Sequence, residues 1–159
     1  MLRRGFVCAV LSALLSFGAS AQVPIGPKGG APAASNVVAQ GANGSSIQVV
    51  VAEQLVTGLS GASVNAATQI PAGAVVLACS ERVTTAITGA TSFSVGYTGS
   101  TSAFGSSLGV NVGTTNEGLI GPDPFYSATD IVLTAAGGNF SGGAVRLSLM
   151  YLTFSPPPN

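Results

Sequence analysis

The chain has 159 residues, of which 47% are hydrophobic and only 6% charged; it holds 22 glycines, no histidine and no tryptophan. The missing histidine excludes a Ser-His or Cys-His catalytic pair. The five basic residues include Arg3 and Arg4 at the very start, so no basic patch remains to hold nucleic acid.

Met1 to Arg4 reads as a basic n-region, Gly5 to Phe17 as an apolar h-region, and Ala19-Ser20-Ala21 as a small-x-small cleavage site. Residues 1–21 are therefore expected to be a signal peptide, with cleavage before Gln22. The apolar run is shorter than the ~20 residues that a membrane span needs. Export to the periplasm or the cell surface follows, with no membrane span after cleavage. Cys8 lies inside the h-region, not at its end, which argues against lipidation. After cleavage Lys28, Arg82 and Arg146 stand against Glu53, Glu81, Glu117, Asp123 and Asp130, a net charge of −2 from three cations and five acids. Cys79 is then the only cysteine and reads as a small core hydrophobe.

Residues 22–46 scatter Pro, Gly, Ala, Ser and Asn without apolar periodicity, and are expected to be a disordered linker. Residues 47–154 form the one domain, large enough for a single core. Residues 155–159 are a Pro-rich tail that stops the last strand, because proline cannot donate to a ladder.

Within the domain, short Val-rich or alternating runs lie between turn residues. Strands are predicted over Ile47–Leu55, Val64–Ile70, Ala74–Ile87, Thr91–Thr98, Leu108–Val112, Asp130–Ala135 and Ala144–Phe154. Glu81-Arg82 suggests a bulge or a solvent-facing stretch, with the two as an ion pair or a polar rim. Phe93, Val95 and Tyr97 share one face; Ser92, Ser94 and Gly96 share the other. Val145, Leu147, Leu149 and Tyr151 oppose Arg146 and Ser148. Gly137 to Gly143 is expected as the hairpin loop between the last two strands. Thr88-Gly89-Ala90-Thr91-Ser92 is echoed by Thr98-Gly99-Ser100-Thr101-Ser102, a repeated turn chemistry. About seven or eight short antiparallel strands predict an all-β fold, a single jelly-roll-like β-sandwich. An outer-membrane barrel would want longer strands and aromatic girdles.

No zinc or calcium ligand pattern is present, and no cofactor is expected. Five acids permit a glycosidase pair arithmetically, but no spacing selects an acid and a nucleophile. The chain is accordingly expected not to be an enzyme. Sugar binding needs only an aromatic face and a few polar groups. Phe125-Tyr126, in the stretch Gly121 to Ser127 stiffened by Pro122 and Pro124, is the one aromatic pair in a turn-rich segment. Tyr126 is the expected stacking face and Asp123 the hydroxyl acceptor. Against this stands the reading that Phe125 or Tyr126 plugs one end of the sandwich. Glu81 and Arg82 are the next candidates.

An ordered series of motifs carries a resemblance. It runs Glu53-Gln54-Leu55-Val56-Thr57-Gly58-Leu59-Ser60-Gly61-Ala62, then Ile70-Pro71-Ala72-Gly73-Ala74, then Arg82 through Phe93, Phe104-Gly105-Ser106-Ser107-Leu108, Gly121-Pro122, and Leu133 through Leu147. It resembles the small C-terminal β domain of phage and gene-transfer-agent surface proteins of the head-spike or fibre type. The resemblance implies attachment to cell-surface polysaccharide, and implies no catalytic residues. The signal peptide departs from that pattern, as does the lack of a long region to mount the domain on a particle. Both point to an exported copy of the module. The alternative is a structural domain that forms homo-oligomers without ligand, packing through the low-charge face of Ser92, Ser94 and Gly96.

Overall fold

The computed structural model describes residues 34–158. The expected signal peptide and residues 22–33 of the expected linker lie outside them. Nine strands follow one another: β1 (Ala34–Gln40), β2 (Ser46–Thr57), β3 (Ser63–Ile70), β4 (Ala74–Thr88), β5 (Ser92–Tyr97), β6 (Ser100–Leu108), β7 (Thr115–Phe125), β8 (Thr129–Ala136) and β9 (Gly142–Ser155).

They form two antiparallel sheets, ordered β1-β2-β9-β4-β7 and β3-β8-β5-β6. The pairing is nested: β5 with β6, β4 with β7, β3 with β8, and β2 with β9. This is one long hairpin folded over on itself, the jelly-roll wrap of eight strands. β1 is an addition, paired outside β2. The all-β sandwich expected from the strand patterns is therefore the fold.

Alternation builds the core. On β9, Val145, Leu147, Leu149 and Tyr151 are buried while Arg146 is exposed. On β5, Phe93 and Val95 are buried, and on β8 Leu133 pairs beside Val95 and Ile131 beside Tyr97. Cys79 joins this core as a free thiol with 0% exposure. Burial, and secondarily the charge of Glu81, pushes its pKa far up.

Four local expectations are corrected. The sheet already begins at Ala34, inside the stretch read as linker. Leu108–Val112 is not a strand; Ser100–Leu108 is, and the chain then turns over Gly109 to Thr114. Small, glycine-interrupted residues hide strand periodicity there. Gly121 to Phe125 belongs to β7, with Gly121 at φ 74°, so most of the expected loop is strand. Gly137 to Gly143 is no hairpin loop: β8 and β9 lie in different sheets, and the segment crosses between them. The repeated turn chemistry is real. Gly89 precedes β5 at φ 86° and Gly99 precedes β6 at φ 104°, a conformation that glycine adopts without strain.

Candidate functional site

The five residues singled out in the sequence fall into two groups. β4 pairs with β7 along its length, Ala74 against Phe125 at one end and Arg82 against Thr115 at the other. The rise along a strand puts those rows roughly 25 Å apart. Asp123, Phe125 and Tyr126 sit at the first end, Glu81 and Arg82 at the second. No single site contains all five.

At the first end, Phe125 is the plug. It is 9% exposed, and its ring meets Tyr97 edge-on at a centroid distance of 4.9 Å. Tyr97 also meets Phe104 at 6.0 Å, so an aromatic cluster fills the corner between the sheets. Gly73 N–H donates to the Phe125 carbonyl at 2.7 Å, and the Thr129 hydroxyl to the Ser127 carbonyl at 3.0 Å. These bonds fix the bend between β7 and β8. Tyr126 lies on that bend, 87% exposed, the most exposed of the large hydrophobic side chains described. Successive residues of a strand alternate faces, so half-buried Asp123 shares the side of Phe125 and not that of Tyr126.

A shallow cavity of about 330 Å³ begins two residues after Tyr126, lined by Gln69, Thr98, Ala128, Thr129 and Asp130. Asp130 is held by two amides: Asn65 Nδ2 donates to one carboxylate oxygen at 3.2 Å, and Gln69 Nε2 to the other. Its carboxylate is thus fixed at the cavity wall. Sequence reasoning passed over Asp130 for Asp123. Its partners come from β3, more than sixty residues away in the chain, and no local spacing could have signalled them.

At the second end, Glu81 and Arg82 do not form the expected ion pair, though both border one polar cavity. Adjacent residues point to opposite faces of the sheet. Glu81 is inward and 5% exposed; Arg82 is outward and exposed. No bulge falls at Glu81 or Arg82; the register shifts lie to either side, between Val76 and Ala78 and after Val83. Asn116 Nδ2 donates to Glu81 Oε1 at 2.6 Å and to the Phe104 carbonyl at 2.9 Å. Glu81 Oε2 is buried with no partner. Desolvation raises the Glu81 pKa to about 7, against the lowering effect of the Asn116 hydrogen bond. Glu81 thus stands at the wall of a cavity, with one carboxylate oxygen taken by Asn116. Of the two, only Arg82 is presented to solvent.

Among the described residues, no cluster of three or more His, Cys, Asp or Glu could hold a metal ion. No protein-family model matches the chain, and no curated protein matches it. Among solved structures, a chain of the cyanophage Pam1 capsid asymmetric unit is similar, with 20% identity and a TM-score of 0.47 over 74% of this chain and 93% of that one.

Proposed function

We propose that this chain is an exported, non-catalytic module that binds polysaccharide at a cell surface. The observation that carries the reading is Tyr126: an aromatic ring 87% exposed on a bend whose preceding residue is anchored in the core. A bare ring on a rigid base presents a stacking face at little ordering cost. The clamped Asp130 beside Thr98 and Thr129 adds a hydroxyl acceptor at the neighbouring cavity. Asp123, half-buried, is the weaker acceptor candidate. The ordered motif series similar to phage and gene-transfer-agent spike domains points the same way.

A polysaccharide array probed with the purified chain tests this. Retention of at least one cell-surface glycan is expected. Tyr126→Ala should weaken it by about 1–3 kcal/mol, the scale of a lost interface anchor, with an unchanged melting temperature. No retention of any glycan, or a loss that follows only the folded fraction, would sink the reading. Cleavage of the bound polymer would remove its non-catalytic part.

A second reading, assembly without ligand, is favoured by a specific surface. The outer face of the five-stranded sheet carries Ile47, Val49 and Val51 on β2, beside Phe154, Leu152 and Met150 on β9. Outer faces of solvated sheets are usually polar. The face expected to self-pack, Ser92, Ser94 and Gly96, is less open. Gly96 is buried, and a Cβ there would lie 2.1 Å from the Ser100 carbonyl oxygen, because β6 passes over it.

A further inference from the structure

The polar end of that same outer face holds an unusual pair. Of the five basic residues in the chain, Arg3, Arg4 and Lys28 precede the described residues. The remaining two, Arg82 on β4 and Arg146 on β9, are directly opposed neighbours in the ladder. Both are exposed. Like charges placed opposite each other on adjacent strands repel and destabilise the pairing. Two cations scattered over nine strands need not meet, yet these do.

Their surroundings do not neutralise them by contact. Among the described residues no ion pair or side-chain hydrogen bond engages either guanidinium. The next row on the same face runs Glu53, Ser148, Ser80, Glu117 across β2, β9, β4 and β7. Glu53 takes the Ser148 hydroxyl at 3.0 Å. The two glutamates flank the arginines diagonally, at the edges of the patch. Beside the arginines lies a cavity of about 300 Å³ lined by Arg82, Arg146, Ser80, Ser148, Thr115 and Glu117, with Asn116 and the enclosed Glu81 also at its wall. That volume is at the lower end of small-ligand sites.

From this geometry we infer that the Arg82–Arg146 pair binds the carboxylate of an acidic sugar unit in a polysaccharide. Guanidinium is the side chain that grips a carboxylate with two parallel hydrogen bonds. A carboxylate between the arginines cancels their mutual repulsion. The rim selects among anions. Two acids against two cations leave the patch with no net positive charge, so charge density alone draws no polyanion to it, and a ligand must be held by paired hydrogen bonds to the guanidinium forks. A single carboxylate ringed by hydroxyls fits instead: Glu117, Ser80, Ser148 and Thr115 line the cavity and offer partners to the hydroxyls. The site lies roughly 25 Å from Tyr126, so an extended polymer would contact both ends of the sandwich.

This inference rests on the polysaccharide-binding reading, and the experiment separates the two. Binding of the purified chain is measured by calorimetry to polygalacturonate, to the same polymer with its carboxyls reduced to alcohols, and to neutral glycans. Polygalacturonate should bind, and carboxyl reduction should weaken it at least tenfold. Arg82→Gln and Arg146→Gln should each give a similar loss with a melting temperature no lower than before, since each removes the like-charge repulsion. Arg146→Lys should recover part of it, since an ammonium keeps the charge without the fork. Equal binding of the reduced polymer, or binding that ignores both arginine changes, overturns the acidic-sugar assignment. Retention of neutral glycans alone, lost in Tyr126→Ala, also overturns it while leaving the broader reading intact. No binding of any glycan removes both.

Discussion

Glu81 is the acid that the described fold buries, and its physics is legible at a single side chain. Asn116 satisfies one carboxylate oxygen and nothing satisfies the other. Gly105 opposite leaves the room: a Cβ there would lie 2.6 Å from Asn116 Nδ2 and 3.1 Å from Glu81 Oε1. Since burial raises the folded pKa to about 7 from 4.5, the folded state holds its proton where the unfolded chain has already released it. Stability from this group is complete below about pH 4.5 and is lost as pH rises to 7. The loss is on the order of 1–3 kcal/mol, discounted for solvent screening. Other groups near Glu81 do not compete in that window: the Cys79 thiol titrates far above it, and Asn116 does not titrate. Thermal melts from pH 5 to pH 8 should therefore show a falling midpoint, and Glu81→Gln should flatten the slope. A midpoint that rises over this range would refute the assignment.

At the scale of elements, closure of the sandwich depends on β6 lying against β7. Gly118 is paired with Cys79, and a Cβ on it would lie 2.3 Å from the Phe104 carbonyl oxygen and 2.5 Å from that of Cys79. Both obstacles are backbone, so neither can swing aside. Asn116, two residues earlier on the same strand, donates to that Phe104 carbonyl and ties the two sheets together. Gly118→Ala should cost about 2 kcal/mol or more, since the sheets must part to admit the methyl. Gly99→Ala is the comparison: it has nothing within 4 Å, and pays only for a positive φ of 104°, about 1 kcal/mol. Denaturant melts of the two variants give the order. Equal losses would mean that β6 and β7 are not in tight contact.

Over the whole molecule, the outer face of the five-stranded sheet divides into an apolar half and a polar half. The apolar half spans β2, β9, β4 and β7, with Leu119 and Met150 on either side of the covered Ala78. Leu119 is 73% exposed and Phe154 53%. At ~4.8 Å between strands this is roughly 300–400 Å², the size of the largest apolar patch on an ordinary monomer, which is often a functional one. If the assembly reading holds, light scattering at micromolar concentration should show a dimer or larger species, and Leu152→Lys should return it to monomer. A monodisperse wild-type monomer would end that reading. The arginine pair sits at the other half of the face, and Leu152→Lys leaves it untouched.

The amino-acid sequence by itself determined the class of this fold. Alternation on β5, β8 and β9 assigned Phe93, Val95, Ile131, Leu133, Leu147 and Leu149 to the core, because a strand's side chains have a period of two whatever its partners are. It also marked Gly89 and Gly99 as turns. Where local signal was thin it failed: β1, β6 and most of β7 are rich in Gly, Ser, Pro or Asn, and only pairing with neighbours makes them strands. Site residues were named one at a time, and tertiary structure decided what they could do. It turned Glu81 inward and Arg82 outward, and divided Phe125 from Tyr126 into plug and exposed ring. It also set Arg146 beside Arg82, although sixty-four positions separate them in the chain. Register across strands is a long-range property, fixed by which cores must align. No spacing within one strand records it.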